Sequence, residues 1–229
     1  MHWDAIWNRA QADLAIKTEQ GGEDPILWEH SARVAKSARQ IARLPEVRAA
    51  SPDETAVVAA ALYHDAGWIA RLRGGEIHRG EILSRLKSGV LREHREHGAR
   101  MLEDALAELL PRGSLPRASE AIRSLKNSRI ESIEGQVIAE ADNLDELGVL
   151  SLWSSIRRGA VAGGGVQAVI DTWRRRKEYR FWEKHLKESF RFAPVRAVAE
   201  QRLEVLEQFM KWLEEQHRGD DLGLALEPS

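Results

Sequence analysis

The sequence predicts an all-α protein, a multi-helix bundle that closes with a C-terminal helical hairpin. Alternating runs of β-branched or aromatic residues, which are typical of strands, are nearly absent. Apolar residues instead recur at three- and four-residue spacing, as they do along residues 26–42. Glycines and prolines separate these segments and indicate where one helix ends and the next begins.

The first three helices have recognisable starts and ends. We expect helices at residues 4–18 and from Asp24-Pro25 onward, with Gly21-Gly22 between them. A third helix follows Ser51-Pro52-Asp53-Glu54, where the serine would cap the helix and the proline would occupy its first position. Because residues 55–63 are apolar nearly all round, this helix should be central and buried.

The rest of the chain continues in the same pattern. Residues 71–75 are interpreted as a basic loop, and residues 163–165 as the loop before the hairpin. The further helices expected are 79–86, 92–110, 118–126, 132–157 and the last segment of the hairpin, 195–213. We interpret residues 1–229 as one domain, with a core at about 24–158 and C-terminal helices at about 165–217.

Composition excludes several classes of protein. The 34 basic and 36 acidic residues nearly balance, which argues against bulk nucleic acid or an anionic membrane as the main partner. The chain has no cysteine, so disulfides, iron–sulfur clusters and thiol nucleophiles are excluded. The longest apolar run, residues 56–63, is far shorter than the roughly 20 residues of a membrane-spanning helix. We expect a cytoplasmic protein with no membrane partner.

Polar residues that interrupt apolar helical faces are the candidate functional residues. His30, His64-Asp65, His97 and Asp142 each lie beside core-facing residues, in four different predicted helices. Burying a carboxylate without a partner is costly, so Asp65 must be paired, exposed or metal-bound. Imidazole and carboxylate ligands together suit Mn, Fe, Ni, Co or Zn. The alternative is that His64-Asp65 only ends a helix, with Asp65 in water.

The order His … His-Asp … Asp resembles the HD superfamily of metal-dependent phosphohydrolases. The segments that carry the resemblance are WEHSARVA, ALYHDAGW and AEADNLDELG, within residues 28–158. The resemblance implies an HD-domain-like fold in which His30, His64, Asp65 and Asp142 hold a divalent transition metal between helices. It also implies hydrolysis of a phosphate ester or anhydride, commonly in a nucleotide.

The resemblance also suggests further roles. Some relatives carry a later histidine that completes a second metal site, but residues 122–127 contain none, so one metal is expected. His97, or alternatively His94, would fill one of the additional histidine positions found in many relatives. His97 would donate to phosphate, act as a general acid or serve as a fifth ligand, and Asp65 would also orient the attacking water. Asp145, one helical turn after Asp142, would steady a ligand imidazole.

The cation that binds phosphate is not fixed by the pattern. Some relatives have a basic residue directly after the final aspartate, where this chain has Asn143. The candidates are therefore Arg71, Arg73, Lys126 and Arg157-Arg158. The run 174–177 is interpreted as a solvated helix face, with a contact to nucleic acid as the alternative.

Two other readings of the function stay open at this point. One is a non-catalytic, nucleotide-sensing protein with the same fold, and the other is a purely structural helical protein. The broad apolar face of residues 195–213 would also allow a homodimer.

Overall fold

A computed structural model describes residues 2–78, 82, 92–125, 129–219 and 221–222. It confirms the all-α prediction, since these residues form helices apart from one very short hairpin. The chain divides into two compact units, Met1–Asp142 and Asn143–Ser229. The interpretation of the chain as one domain stays a prediction. None of the helices in the described ranges is long and apolar enough to cross a membrane.

The first unit contains seven helices that lie wholly within it in the described part of the chain, and most of an eighth. The elements in chain order are α1 (Trp3–Leu14), β1 (Ile16–Lys17), β2 (Glu23–Asp24), α2 (Ile26–Ile41), α3 (Pro45–Arg48), α4 (Glu54–Tyr63), α5 (Gly67–Arg73), α6 (Arg92–Leu106), α7 (Ser114–Ser124) and α8 (Ile133–Asp145). As predicted, α4 is central: its residues from Ala56 to Tyr63 are all buried, and α2, α6 and α7 pack against it.

The first helix is shorter than predicted because a hairpin follows it. α1 ends at Leu14, and Ile16 then pairs with Asp24 in the antiparallel register of β1 and β2. Gly21 at the turn has φ 79°, a left-handed conformation that favours glycine. Strands of two residues are too short to leave an alternating pattern in the sequence.

The start of α4 also differs from the prediction. Asp53, not Ser51, is the cap: its Oδ1 accepts hydrogen bonds from the backbone N–H groups of Thr55 and Ala56, at 2.9 and 3.0 Å. The backbone N–H of Asp53 donates in turn to Glu134 Oε1 on α8, at 3.0 Å. The cap therefore ties the start of the central helix to α8.

Several predicted boundaries were wrong for identifiable reasons. Residues 71–75 were predicted to form a basic loop, but Arg71 and Arg73 belong to α5, and only the turn after Arg73 is non-helical. The helix predicted over 132–157 is broken after Asp145, and the chain passes through Gly148 at φ 87° before it becomes helical again. The predicted helix 79–86 lies outside the described residues except for position 82.

The second unit is built from four helices in the described part of the chain: α9 (Val149–Val161), α10 (Val166–Glu178), α11 (Phe181–Ser189) and α12 (Ala193–Arg218). The predicted hairpin of α10 and α12 is present, and the two helices pack together. The prediction missed α11, which begins after Arg180 in a left-handed conformation (φ 51°). α12 buries Val195, Ala199, Leu206 and Met210.

Candidate metal centre

Four of the predicted side chains come together in the first unit. His30 extends from α2, His64 and Asp65 directly follow α4, and Asp142 lies near the end of α8. His30 Nε2 is 3.3 Å from both His64 Nε2 and Asp142 Oδ1. Asp65 Oδ2 lies 3.8 Å from His30 Nε2 and 3.7 Å from His64 Nε2. His64 Nε2 and Asp142 Oδ1 are 3.6 Å apart.

These separations are those expected of atoms that share one ion. Imidazole and carboxylate ligands bind transition metals at about 2.0–2.2 Å, which separates neighbouring ligand atoms by about 3 to 3.6 Å. The observed range is 3.3–3.8 Å. His30, His64 and Asp65 thus form a group that could hold a metal ion, and Asp142 Oδ1 adds a fourth donor beside it.

The tautomer of His64 favours a metal ligand. His64 directly follows α4 and is fully buried, and its Nδ1 is 2.8 Å from the backbone oxygen of Ala61. A carbonyl oxygen only accepts hydrogen bonds, so Nδ1 carries the proton and donates it. The lone pair of the neutral ring is therefore on Nε2, the atom that faces the other donors.

Asp65 is held by both of its oxygens. Oδ1 accepts a hydrogen bond from Arg95 Nη1 at 2.9 Å and lies 3.3 Å from His94 Nε2, whereas Oδ2 faces His30 and His64. Arg95 Nη1 also donates to the backbone oxygen of His64, at 2.7 Å. One buried guanidinium therefore fixes two consecutive residues of the centre.

Electrostatics keep both carboxyl groups ionised. Burial raises the pKa of Asp65, but the interaction with His64, the hydrogen bond with His94 and the charge of Arg95 together lower it by more. Burial also raises the pKa of Asp142, but the interactions with His64 and His30 lower it well below its usual range. Both groups are thus carboxylates at neutral pH, the form that binds a cation.

The centre is open on one side only. The side chains of His30 and Asp142 are 17% and 29% exposed, whereas those of His64 and Asp65 are 0% and 5% exposed. The accessible side of the centre is therefore that of α2 and α8, and the end of α4 forms its base.

The residues of the centre lie within a segment that matches a known protein family. The model of the HD domain matches residues 27–147, more than half of the chain. The chain belongs to the HD-domain family. Comparison with curated proteins found no match.

Three solved structures share the fold across nearly their whole length. Bacillus subtilis YpgQ in complex with ADP is 21% identical, with a TM-score of 0.57 over 93% of this chain and 96% of that one. A predicted HD superfamily hydrolase from an uncultured Thermotogales bacterium is 19% identical (TM-score 0.57, covering 94% and 92%). The Lin1889 protein from Listeria innocua is 15% identical (TM-score 0.56, covering 94% and 96%). At these identities the likeness shows the fold alone.

The sequence favoured His97 as the functional histidine of α6, but His94 is the one that contacts the HD motif, His64-Asp65. His94 is buried beside Asp65, whereas His97 is half-buried and forms no hydrogen bond or ion pair with described residues. Arg95 was missed entirely. A signal for it exists, because Arg95 shares a helical face with the buried residues Ala99, Leu102 and Leu106.

Two glycines let α6 approach the HD motif closely. A Cβ on Gly67 would lie 2.1 Å from the backbone oxygen of His94, and one on Gly98 would lie 3.0 Å from that of Tyr63. The approach places the rings of Trp68 and His94 4.4 Å apart. Glycine at both positions thus sets how near His94 and Arg95 come to Asp65.

The two predicted phosphate-binding arginines of α5 each contact groups outside the centre. Arg71 forms an ion pair with Glu76 at 3.0 Å, and Arg73 donates to the backbone oxygen of Asp13 at 3.1 Å. Of these two arginines, Arg71 is linked to the centre through neighbouring rings. Its guanidinium lies 5.8 Å from the ring of Trp68, and Trp68 packs on His94.

Three further predictions stay untested. Lys126 lies outside the described residues, Arg157 belongs to α9 of the second unit, and Asp145 follows Asp142 by one turn of α8.

Proposed function

We propose that this HD domain is a metal-dependent phosphohydrolase that acts on a nucleotide or another small phosphate ester or anhydride. The observation that carries the proposal is the convergence of two imidazoles, 3.3 Å apart, on two carboxylates: each Nε2 lies 3.3–3.8 Å from an oxygen of Asp65 and of Asp142. Membership of the HD family supports the class of reaction.

The donor set favours one divalent transition metal, among Mn, Fe, Ni, Co and Zn, held by His30, His64, Asp65 and Asp142. When bound, such an ion supplies a water of lowered pKa and neutralises charge on a phosphoryl oxygen. The chain supplies the positioning. Because Arg95 and His94 hold Asp65 Oδ1, the carboxylate cannot rotate, and Oδ2 stays directed at the place where the water is oriented.

His97 is the proposed proton donor to the leaving group or to a phosphate oxygen. It lies one helical turn after His94 on α6, and its buried Nδ1 has no hydrogen-bond partner among the described atoms. An imidazole can donate and accept a proton at its ring nitrogens, which suits general acid catalysis.

A nucleotide is the proposed substrate. The complex of YpgQ with ADP, a protein that shares the fold, supports this choice. Arg71 is the better placed of the two α5 arginines to contact a phosphate, because Arg73 already binds the end of α1. Lys126 and Arg157 stay candidates for the same role. The ADP complex also favours a second function, nucleotide sensing, because it concerns binding and not turnover.

The test is hydrolysis of a panel of nucleotides and phosphate esters with Mn²⁺, with release of phosphate, pyrophosphate and nucleoside followed separately. We expect turnover by the wild type and, in Asp65→Ala, a loss of at least about 100-fold, since removing even a residue that supports a ligand typically costs 10–100-fold. Asp104→Ala removes an exposed carboxylate from α6 and is the matched control. Full activity in Asp65→Ala would overturn the proposal, whereas a nucleotide that stabilises the protein without being consumed would favour sensing.

A homodimer is proposed on separate grounds. α9 exposes Trp153 and α12 exposes Val205 and Trp212, each more than half accessible. Apolar surface of this kind often marks a contact between proteins.

A further inference from the structure

Two arginines of the second unit are half-buried and nearly without partners. Arg158 lies on α9 and Arg176 on α10. Arg158 Nη2 donates to Ser155 Oγ at 3.1 Å, its one hydrogen bond within the described ranges. Arg176 forms no hydrogen bond or ion pair with any described residue; its guanidinium lies 5.0 Å from the ring of Phe181 and 5.3 Å from that of Trp182.

The neighbours of Arg176 on α10 are in ordinary surface positions. Arg174 pairs with Glu214 at 2.9 Å, and Lys177 lies 3.8 Å from Glu207. Arg175 is exposed. Lys177 Nζ lies 5.9 Å from the ring of Trp173, but the side chain is exposed. Arg176 is the one of these four basic residues that is half-buried.

The two guanidinium groups carry more charge than their surroundings compensate. Burial lowers the pKa of Arg158, and the positive charge of Arg176 lowers it further. Burial also lowers the pKa of Arg176, and Glu146 is the acidic group that opposes the effect at both arginines. Two like charges with one nearby carboxylate leave an excess of positive charge that an anion would relieve.

A further donor lies beside Arg176. Trp182 is 5% exposed, and its Nε1 makes no hydrogen bond to a described atom. Trp182, Arg176 and Ser155 line the same small cavity, with a volume of about 20 Å³, and Arg158 reaches this cavity through its hydrogen bond to Ser155 Oγ. Because a cavity of this size holds about one water, a larger anion must bind at the guanidinium groups themselves, with the indole hydrogen-bonded to water.

We propose that Arg158 and Arg176 form a phosphate-binding site that is separate in composition from the metal centre. The planar forks of two guanidinium groups suit the oxygens of a phosphate group, and the rings of Phe181 and Trp182 hold one fork in place. The phosphate group belongs either to a small phosphorylated ligand such as a nucleotide or to free inorganic phosphate or pyrophosphate.

The experiment is calorimetric titration of the full chain at low salt with phosphate, pyrophosphate or ADP, with EDTA present to keep the metal centre empty. We expect binding by the wild type and a rise in Kd of at least about tenfold in Arg176→Gln and in Arg158→Gln, because charge-assisted bidentate contacts are the strong ones. Arg175→Gln, which removes an exposed charge from the same helix, should bind as the wild type does. Binding of ADP alone would assign the site to a nucleotide, and binding of pyrophosphate as well would assign it to the phosphate group itself.

Two outcomes would overturn this site: no binding of any of the three anions, or equal binding by the wild type and both glutamine variants. Arg176→Lys keeps the charge and stem, so a weakened but measurable affinity is expected even if Arg176→Gln folds poorly. Asp65→Ala should retain the affinity. Since the titration needs no metal and no turnover, its result is independent of whether the protein proves to be a phosphohydrolase.

Discussion

The two units distribute polar and apolar side chains in opposite ways. The first buries charged and imidazole groups beside its central helix, among them Asp65, His94 and Arg95, with relative exposures of 4%, 1% and 7%. The second exposes large apolar side chains: Trp153, Val205 and Trp212 are 56%, 54% and 55% accessible. All of the exposed large hydrophobic residues found in the described parts of the chain lie between residues 149 and 222.

The difference separates a unit that buries charged and imidazole groups from a unit that exposes apolar side chains. Buried charges cost stability, and they are tolerated where each is paired or binds an ion. Apolar stripes on a surface cost solubility and are tolerated where a partner covers them. Val149, Trp153 and Ile156 form such a stripe on α9, and residues 198, 205 and 212, seven apart, form another on α12.

The largest effect on stability is expected from Arg95→Met in the first unit. The change leaves Asp65 Oδ1 and the backbone oxygen of His64 without their main donor, in a buried site. Breaking a buried charge pair typically costs 3–5 kcal/mol, and losing the group that orients a ligand costs 10–100-fold in metal affinity. Urea unfolding and Mn²⁺ titration measure the two effects. Arg100→Met, at an exposed position of the same helix, should change stability and metal affinity little. An equal effect of the two substitutions would contradict the role of Arg95 in holding Asp65.

A smaller effect is expected from Gly67→Ala. The new Cβ would lie 2.1 Å from the backbone oxygen of His94, so α5 and α6 must move apart at the HD motif. Overpacking of this kind costs typically 1–3 kcal/mol. Gly113→Ala is the control, since a Cβ there meets no atom within 4 Å. If both variants unfold at the same urea concentration, close packing of α6 is not what positions His94.

The smallest effect on stability is expected in the second unit, from Trp153→Ser. The side chain is 56% exposed, and surface substitutions are usually within about 0.5 kcal/mol. If the stripe on α9 is covered in a homodimer, the variant should be more monomeric by light scattering at equal concentration. A wild type that is monomeric at all concentrations would remove the argument for a dimer.

The four side chains of the candidate centre could be identified from the sequence because each interrupts an apolar run. The body of α4 between Ala56 and Tyr63 is so uniformly apolar that a histidine and an aspartate at its end demand an explanation. His30 and Asp142 occupy corresponding interruptions of α2 and α8. Such local patterns can be recognised in a single sequence. The structure brings these four side chains together.

The supporting residues could not be predicted in the same way, because they depend on tertiary packing. Which of His94 and His97 contacts Asp65 depends on how closely α6 approaches Gly67. Arg176 differs from its basic neighbours only through the rings of α11 that lie against it. The break at Gly148 was missed because a single glycine is tolerated within a helical pattern.

The most direct test of the account is the metal content of the purified protein after incubation with Mn²⁺ and extensive dialysis. The geometry of the centre predicts about one ion per chain in the wild type and in Asp104→Ala, and none in Asp65→Ala, with all three proteins folded by circular dichroism. Absence of stoichiometric metal in the wild type, or the same metal content in Asp65→Ala, would contradict the assignment of His30, His64, Asp65 and Asp142 as a metal centre.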